Sequence, residues 1–131
     1  MDALNRRSHH IRLHGPWERL LPGGRERFHL PREWAALTAD GAGAVTLARR
    51  FHRPTGLEES ARVFVALPAQ WDVAVRLNGC DLERRDDRGE FQRFEMTDLV
   101  RASEGHELEI EFRSRPAAAF VVAIEIDGSG E

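Results

Sequence analysis

The chain has a single cysteine, Cys80, and so cannot close an internal disulfide. Nothing therefore marks it for an oxidising compartment. It also lacks an apolar run fit for a signal peptide or a membrane span: Met1 is followed by Asp2 and a polar stretch. A basic excess is missing too. Its 19 basic residues against 22 acidic ones leave a net charge of −3, which argues against a nucleic-acid partner. The expectation is a cytoplasmic protein with no membrane contact. There is no βαβ rhythm, no internal repeat and no low-complexity segment. No catalytic constellation survives either. Ser8-His9 and Ser103 with His106 have no orienting acid, and G-x-S-x-G is absent. His9, His10 and His14 have no Cys, Asp or Glu at ligand spacing before Glu18, so they read as solvated strand histidines and not as a metal site. Cys80, beside a turn, reads as a small packed or half-buried side chain.

What is present is alternation. Val73, Val75 and Leu77 share one side of Trp71–Leu77, with Asp72, Ala74 and Arg76 on the other. Asn78-Gly79 follows, and the period of two resumes over Cys80–Glu83, which predicts a two-residue type I′ hairpin. A polar loop is expected over Arg84–Glu90, then a short strand with Phe91 and Phe94. Thr97-Asp98 is cap-like before Leu99-Val100. Glu107–Arg113 alternates charged and apolar residues without a break, and Phe120–Asp127 supplies a last strand through Val122, Ile124 and Ile126. Upstream, His9–Glu18 reads as a first strand ending at Gly15-Pro16-Trp17. Pro31–Leu37 reads as a short helix with Trp34 and Leu37 on one face. Ala44–Phe51 places Val45, Leu47, Arg49 and Phe51 together, and Arg62–Leu67 does the same for Val63, Val65 and Leu67. The sum is an all-β fold, an antiparallel β-sandwich of seven or eight strands with one short helix. At 131 residues and 41% hydrophobic content it suits one domain over residues 9–127, with flexible ends at 1–8 and 128–131.

The order of these signals resembles the N-terminal sugar-binding domain of family 2 glycoside hydrolases, a jelly roll of the galactose-binding-like type. The residues that carry the resemblance are Pro31 and Trp34, Leu47-x-Arg49-x-Phe51 and Val75-Arg76-Leu77-Asn78-Gly79. They continue through Phe91 and Phe94, Glu95-Met96-Thr97 and Gly105-His106-Glu107-Leu108. Three positions depart from the family pattern. Leu47 stands where an aromatic residue is usual, Glu95 replaces an aspartate, and the asparagine before the last long strand is missing. The family's catalytic glutamates lie in a separate (β/α)₈ barrel of about 250 residues, for which this chain has no room. The resemblance therefore implies a non-catalytic carbohydrate-binding domain and no enzyme.

It also implies where a sugar would sit. Counted from Asn78-Gly79 without a gap, Asp87 falls where bacterial β-galactosidases place an aspartate that reaches toward the sugar. Its neighbour Asp86 shares the loop, and a carboxylate can accept from adjacent hydroxyls. The alternative for both is a solvated cluster with Arg84, Arg85 and Arg88. Arg49 either points at a ligand or pairs with a buried acid as a structural pin. Among the tryptophans Trp17, next to Pro16, is the one expected at the surface, where its face could stack on a pyranose ring. No cofactor is called for. Sandwiches of this type often hold a structural calcium, to which Asp40, Asp86 or Asp127 could contribute oxygens, yet no ligand loop asks for one. The competing reading is a protein-interaction or structural module that has lost sugar binding, with a protein partner or self-association in its place. Polysaccharide binders mostly work outside the cell, and that favours the second reading. The resemblance favours the first.

Overall fold

The unbroken alternation of Glu107–Phe112 becomes the central strand of a sheet. The structure, a computed structural model, describes residues 8–38, 45–115 and 119–128. Within β10 (Gly105–Phe112) the side chains of Leu108, Ile110 and Phe112 are fully buried, while Glu107, Glu109 and Glu111 line the outer face. On either side of it run β4 (Val45–His52) and β6 (Val73–Leu77), with Ile110 opposite Leu47 and Val75. The sheet is completed by β2 (Gly15–Leu21), β3 (Gly24–Leu30) and β7 (Cys80–Leu82), in the order β3-β2-β4-β10-β6-β7. A second sheet contains β1 (Ser8–Arg12), β5 (Arg62–Pro68), β8 (Arg84–Arg88), β9 (Phe91–Glu95) and β11 (Ala123–Asp127), in the order β1-β11-β5-β9-β8. Every pairing is antiparallel. The inner faces meet as one hydrophobic cluster, a jelly-roll-like sandwich. Trp34, Trp71, Phe112 and Phe120 fill one end of it, Trp71 meeting Phe112 edge-on at 4.9 Å. Among the described residues neither sheet closes into a barrel, and no helix is long and apolar enough to cross a membrane.

Several expectations need correction. The described residues form eleven strands, and there are two helices, α1 (Trp34–Thr38) and α2 (Thr97–Ala102). The stretch His9–Glu18 is not one strand. It changes sheet at Leu13-His14, where Leu13 turns into the core and Gly15 takes a φ of 95°. Thr97 does not cap α2. Its hydroxyl accepts from Val63 N–H and donates to Glu95, which ties the helix start to β5. Cys80 is exposed, because it sits on the short edge strand β7. The expected flexible ends fall outside the described residues, apart from Ser8, which begins β1, and Gly128.

The hairpin tip agrees with its sequence. Asn78 and Gly79 both have positive φ, 53° and 83°, and Leu77 pairs with Cys80 across them. Asn78 is fixed from both ends of its amide. Its Oδ1 accepts from Glu107 N–H at 2.9 Å, and its Nδ2 lies 3.0 Å from Nδ1 of buried His106. The other ring nitrogen of His106 faces the carbonyls of Val100 and Ser103, which can only accept. Nε2 therefore carries the hydrogen, and Nδ1 accepts from Asn78.

Two measurements check this architecture. Ile110→Ala should cost about 2–5 kcal/mol in denaturant unfolding, since a fully buried branched side chain leaves a cavity. Glu109→Ala loses only a partly exposed pair with Arg76 and should cost under about 1 kcal/mol. Equal costs would put the strand out of register. At the turn, Gly79→Val should lower the melting temperature far more than Gly105→Ala, whose glycine has open space around it and no positive φ. A Gly79→Val protein melting with the wild type would mean a different turn.

Candidate functional site

After β7 the chain passes through one residue, Glu83, and enters β8 in the opposite sheet. The segment expected to be a polar loop is thus an edge strand, whose charged side chains suit a strand with one side open to water. It pairs with β9, but its register shifts between Arg84 and Asp86, so that Arg85 bulges out. In a regular strand residues three apart point to opposite faces. The bulge changes that and brings Arg84 and Asp87 to the same side. There the Arg84 guanidinium donates to Asp87 Oδ1, its Nε at 3.1 Å. Asp87 stays half exposed, with an oxygen that none of these bonds uses.

Asp86 points to the other side and is fully engaged. Arg93 on β9 grips it with two bonds, 2.9 and 3.0 Å. That hydrogen-bonded guanidinium holds the Asp86 carboxyl below the usual carboxylate range. The two neighbouring aspartates, alike in sequence, therefore differ in kind. Asp86 is a structural partner of the sheet, and Asp87 is a presented carboxylate.

Beside Arg84 lies a cleft of about 580 Å³ between residues of the two sheets, lined among others by Arg76, Asp81, Arg84, Gln92, Glu111 and Arg113. Its inner wall is held by Gln92, which is buried and donates from Nε2 to the carbonyls of Pro68 and Trp71 at 2.9 and 2.8 Å. Trp71 also lines the cleft, and its buried indole N–H has no hydrogen-bond partner. The cleft thus combines guanidinium donors and carboxylate acceptors over the edge of the buried core. Sequence reading missed Arg76, Asp81 and Arg113 here. Each looks like an ordinary outward charge on an alternating strand, and only the pairing of β10, β6 and β7 collects them.

Arg49 does not join this group. It lines a separate groove of about 380 Å³ with Pro16, Glu18, Arg25, Arg27 and Arg50. Its Nε and Nη2 both donate to the carbonyl of His14, and Nη1 donates to that of Arg50 at 2.9 Å. Partial burial pushes its guanidinium down from the ordinary value. It is a pin between β4 and the β1–β2 connection, and the partner it holds is a carbonyl, not the buried acid expected. Trp17 overturns its expectation as well. It is fully buried, donates from Nε1 to Leu13 O at 2.8 Å and meets Phe120 edge-on at 5.5 Å. Alternation in β2 turns it inward, and the adjacent proline only marks the strand start. Of the oxygens considered for calcium, Asp40 lies outside the described residues and Asp86 is held by Arg93. Among the described residues no three His, Cys, Asp or Glu side chains gather as a metal ion would require.

Solved structures share this fold. The FMN-binding β-glucuronidase from Faecalibacterium prausnitzii L2-6 aligns at 27% identity with a TM-score of 0.64, over 91% of this chain and 22% of that one. A second β-glucuronidase of Faecalibacterium prausnitzii aligns at 14% identity and a TM-score of 0.69, over 98% and 33%. The GH2 β-galacturonidase from Eisenbergiella tayi, bound to glycerol, aligns at 11% identity and 0.59, over 92% and 24%. The chain has the fold of a sandwich domain in family 2 glycoside hydrolases, and it spans between a fifth and a third of the length of these three enzymes. No protein-family model matches the sequence, and no curated protein is significantly similar to it.

Two carboxylates of this region set an acid dependence. Glu95 accepts from Arg62 at 2.7 Å and from the Thr97 hydroxyl at 2.9 Å, and the Arg62 bonds hold its carboxyl below the usual range, as Arg93 does for Asp86. A carboxyl with a lowered folded-state pKa stabilises above its unfolded value, about 4. That contribution is lost as pH falls through the folded value. The melting temperature should therefore drop below about pH 4, and Glu95→Gln should flatten the drop. An unchanged acid limb in Glu95→Gln would show that the Arg62 pair contributes nothing.

Proposed function

We propose that the chain is a non-catalytic carbohydrate-binding domain whose site is the cleft between the β6–β7 hairpin and the β8–β9 edge. The observation that carries this reading is Arg84, which lines the open polar cleft and holds the half-exposed Asp87 carboxylate beside it. A fixed carboxylate accepts from two adjacent sugar hydroxyls, and guanidinium groups such as those of Arg76 and Arg113 donate to others. Similarity of fold to enzymes named for glucuronides and galacturonides supports a sugar as the ligand class. The resemblance puts the family's catalytic glutamates in a separate barrel, which is why the role proposed for this sandwich is binding.

Affinity should be weak, about 0.1–1 mM, because an open polar cleft competes with water for every hydroxyl. Calorimetric titration with galactosides, glucuronides and mannosides at millimolar concentration tests the assignment. Asp87→Ala should abolish binding and leave the melting curve nearly unchanged, since an exposed pair with Arg84 contributes little to folding. No binding to any of the three would reject this reading in favour of a protein-interaction module.

A further inference from the structure

The outer face of the five-stranded sheet is unlike a solvated surface. Phe64 lies on it, between the core residues Val63 and Val65, and is nevertheless 1% exposed. The guanidinium groups of Arg93 and Arg62 cover its ring at 4.1 and 5.3 Å. Glu125, opposite Phe64 on β11, is 1% exposed as well. Its Oε2 accepts from Arg88 at 2.8 Å and from Arg93 at 3.2 Å, and His10 stands 3.9 Å from Oε1.

One row further along, the register aligns Arg12, Ala123, Ala66 and Arg93 across four strands. Two methyl groups between two long cations leave a hollow. It measures about 200 Å³, with Ala66 and Ala123 as its floor, Arg12 and Arg93 at its ends, and Glu125 and Phe91 among its sides. Arg93 is already claimed by Asp86 and Glu125, and Arg88 by Glu125. The Arg12 side chain, exposed at the rim, makes no hydrogen bond or ion pair among the described residues. Phe91 is the one exposed phenylalanine or tryptophan among the described residues.

We infer that this hollow binds a small aromatic monocarboxylate, its ring against Phe91 and the two alanines and its carboxylate on Arg12. Three comparisons select that class. A polyhydroxylated ligand would strand hydroxyl groups on the alanine floor, where nothing can bond them. An inorganic anion would leave that floor unfilled and gain only pairs with exposed side chains such as Arg12 and Arg88. A dianion would set its second charge against the buried Glu125 carboxylate. The volume is about seven times a water's share of about 30 Å³, which suits a benzoate-sized molecule. The site lies apart from the Asp87 cleft and does not depend on it.

The probe is benzoate, titrated into the full chain and followed by amide chemical shifts, with benzyl alcohol and acetate as comparators. Saturable binding near about 1 mM is expected, as a ligand of about nine heavy atoms gives. Benzyl alcohol and acetate should each bind at least about tenfold more weakly, because each lacks one half of the recognition. Arg12→Gln changes an exposed side chain, should melt with the wild type, and should weaken benzoate about tenfold or more. Asp87→Ala should leave benzoate binding intact. Failure of benzoate to saturate by about 20 mM overturns the inference. So does equal affinity for benzoate and benzyl alcohol on the wild type, or an Arg12→Gln protein that binds benzoate as the wild type does.

Discussion

The arrangement rests on Asn78. Its backbone takes the left-handed conformation that a two-residue hairpin requires, and its side chain bonds the neighbouring strand and a buried histidine at the same time. Glycine could meet the first demand, but it has no amide to meet the second. Through His106 the same residue is linked to the carbonyls that end α2, and His106 itself stacks on Phe51. One side chain therefore fixes the β6–β7 turn against β10 and α2. The direction of β7 follows from that turn. So does the one-residue crossing at Glu83 and the position of β8, where Asp87 is presented.

A second constraint acts on the opposite side of the molecule. The chain contains no lysine, and all 19 of its basic residues are arginines. On the outer face of the five-stranded sheet this has a clear physical consequence. A planar guanidinium can lie on an aromatic ring and still donate to carboxylates at its edge, which an ammonium cannot do. Arg93 does both, covering Phe64 while bonding Asp86 and Glu125. Burying Glu125 alone would be costly, since an unpaired interior carboxylate loses its hydration. Two guanidinium groups offset that loss. The sheet thereby keeps an almost closed surface over Phe64, and the Ala66–Ala123 row stays open beside it.

Core-facing positions were legible from the sequence because burial of one sheet face forces a period of two. Leu108, Ile110, Phe112, Val63, Val65, Val73, Val75 and Leu77 are all buried where the alternation places them. Edge positions were not legible in this way. Arg84-Arg85-Asp86-Asp87-Arg88 has no apolar member and reads as a loop, yet an edge strand needs no apolar face if neighbouring side chains cover it. The bulge at Arg85 leaves no mark that composition could reveal, although it decides which aspartate is held and which is presented. Trp17 misled for a related reason. A proline beside a tryptophan suggests a surface turn, but the residue's place in the strand's alternation decides where the ring goes.

These distinctions bear on how far a shared fold can inform function. A sandwich offers a ligand two kinds of surface: the end, where the sheets splay and loops meet, and the outer faces, where side chains stand in rows. At the end, the ligand would meet groups collected from several strands, so specificity depends on the angle between sheets and on the hairpin that sets it. On a face, it would meet a register, so specificity depends on which residue types share one row. The Asp87 cleft is of the first kind, and its charged groups of both signs suit a ligand bearing hydroxyls. The alanine row is of the second kind, and its small apolar floor between arginines suits no ligand of many hydroxyls. One polypeptide can hold both because they share no side chain. They are joined through β8 and β9, whose alternate residues turn to opposite sides of the sheet.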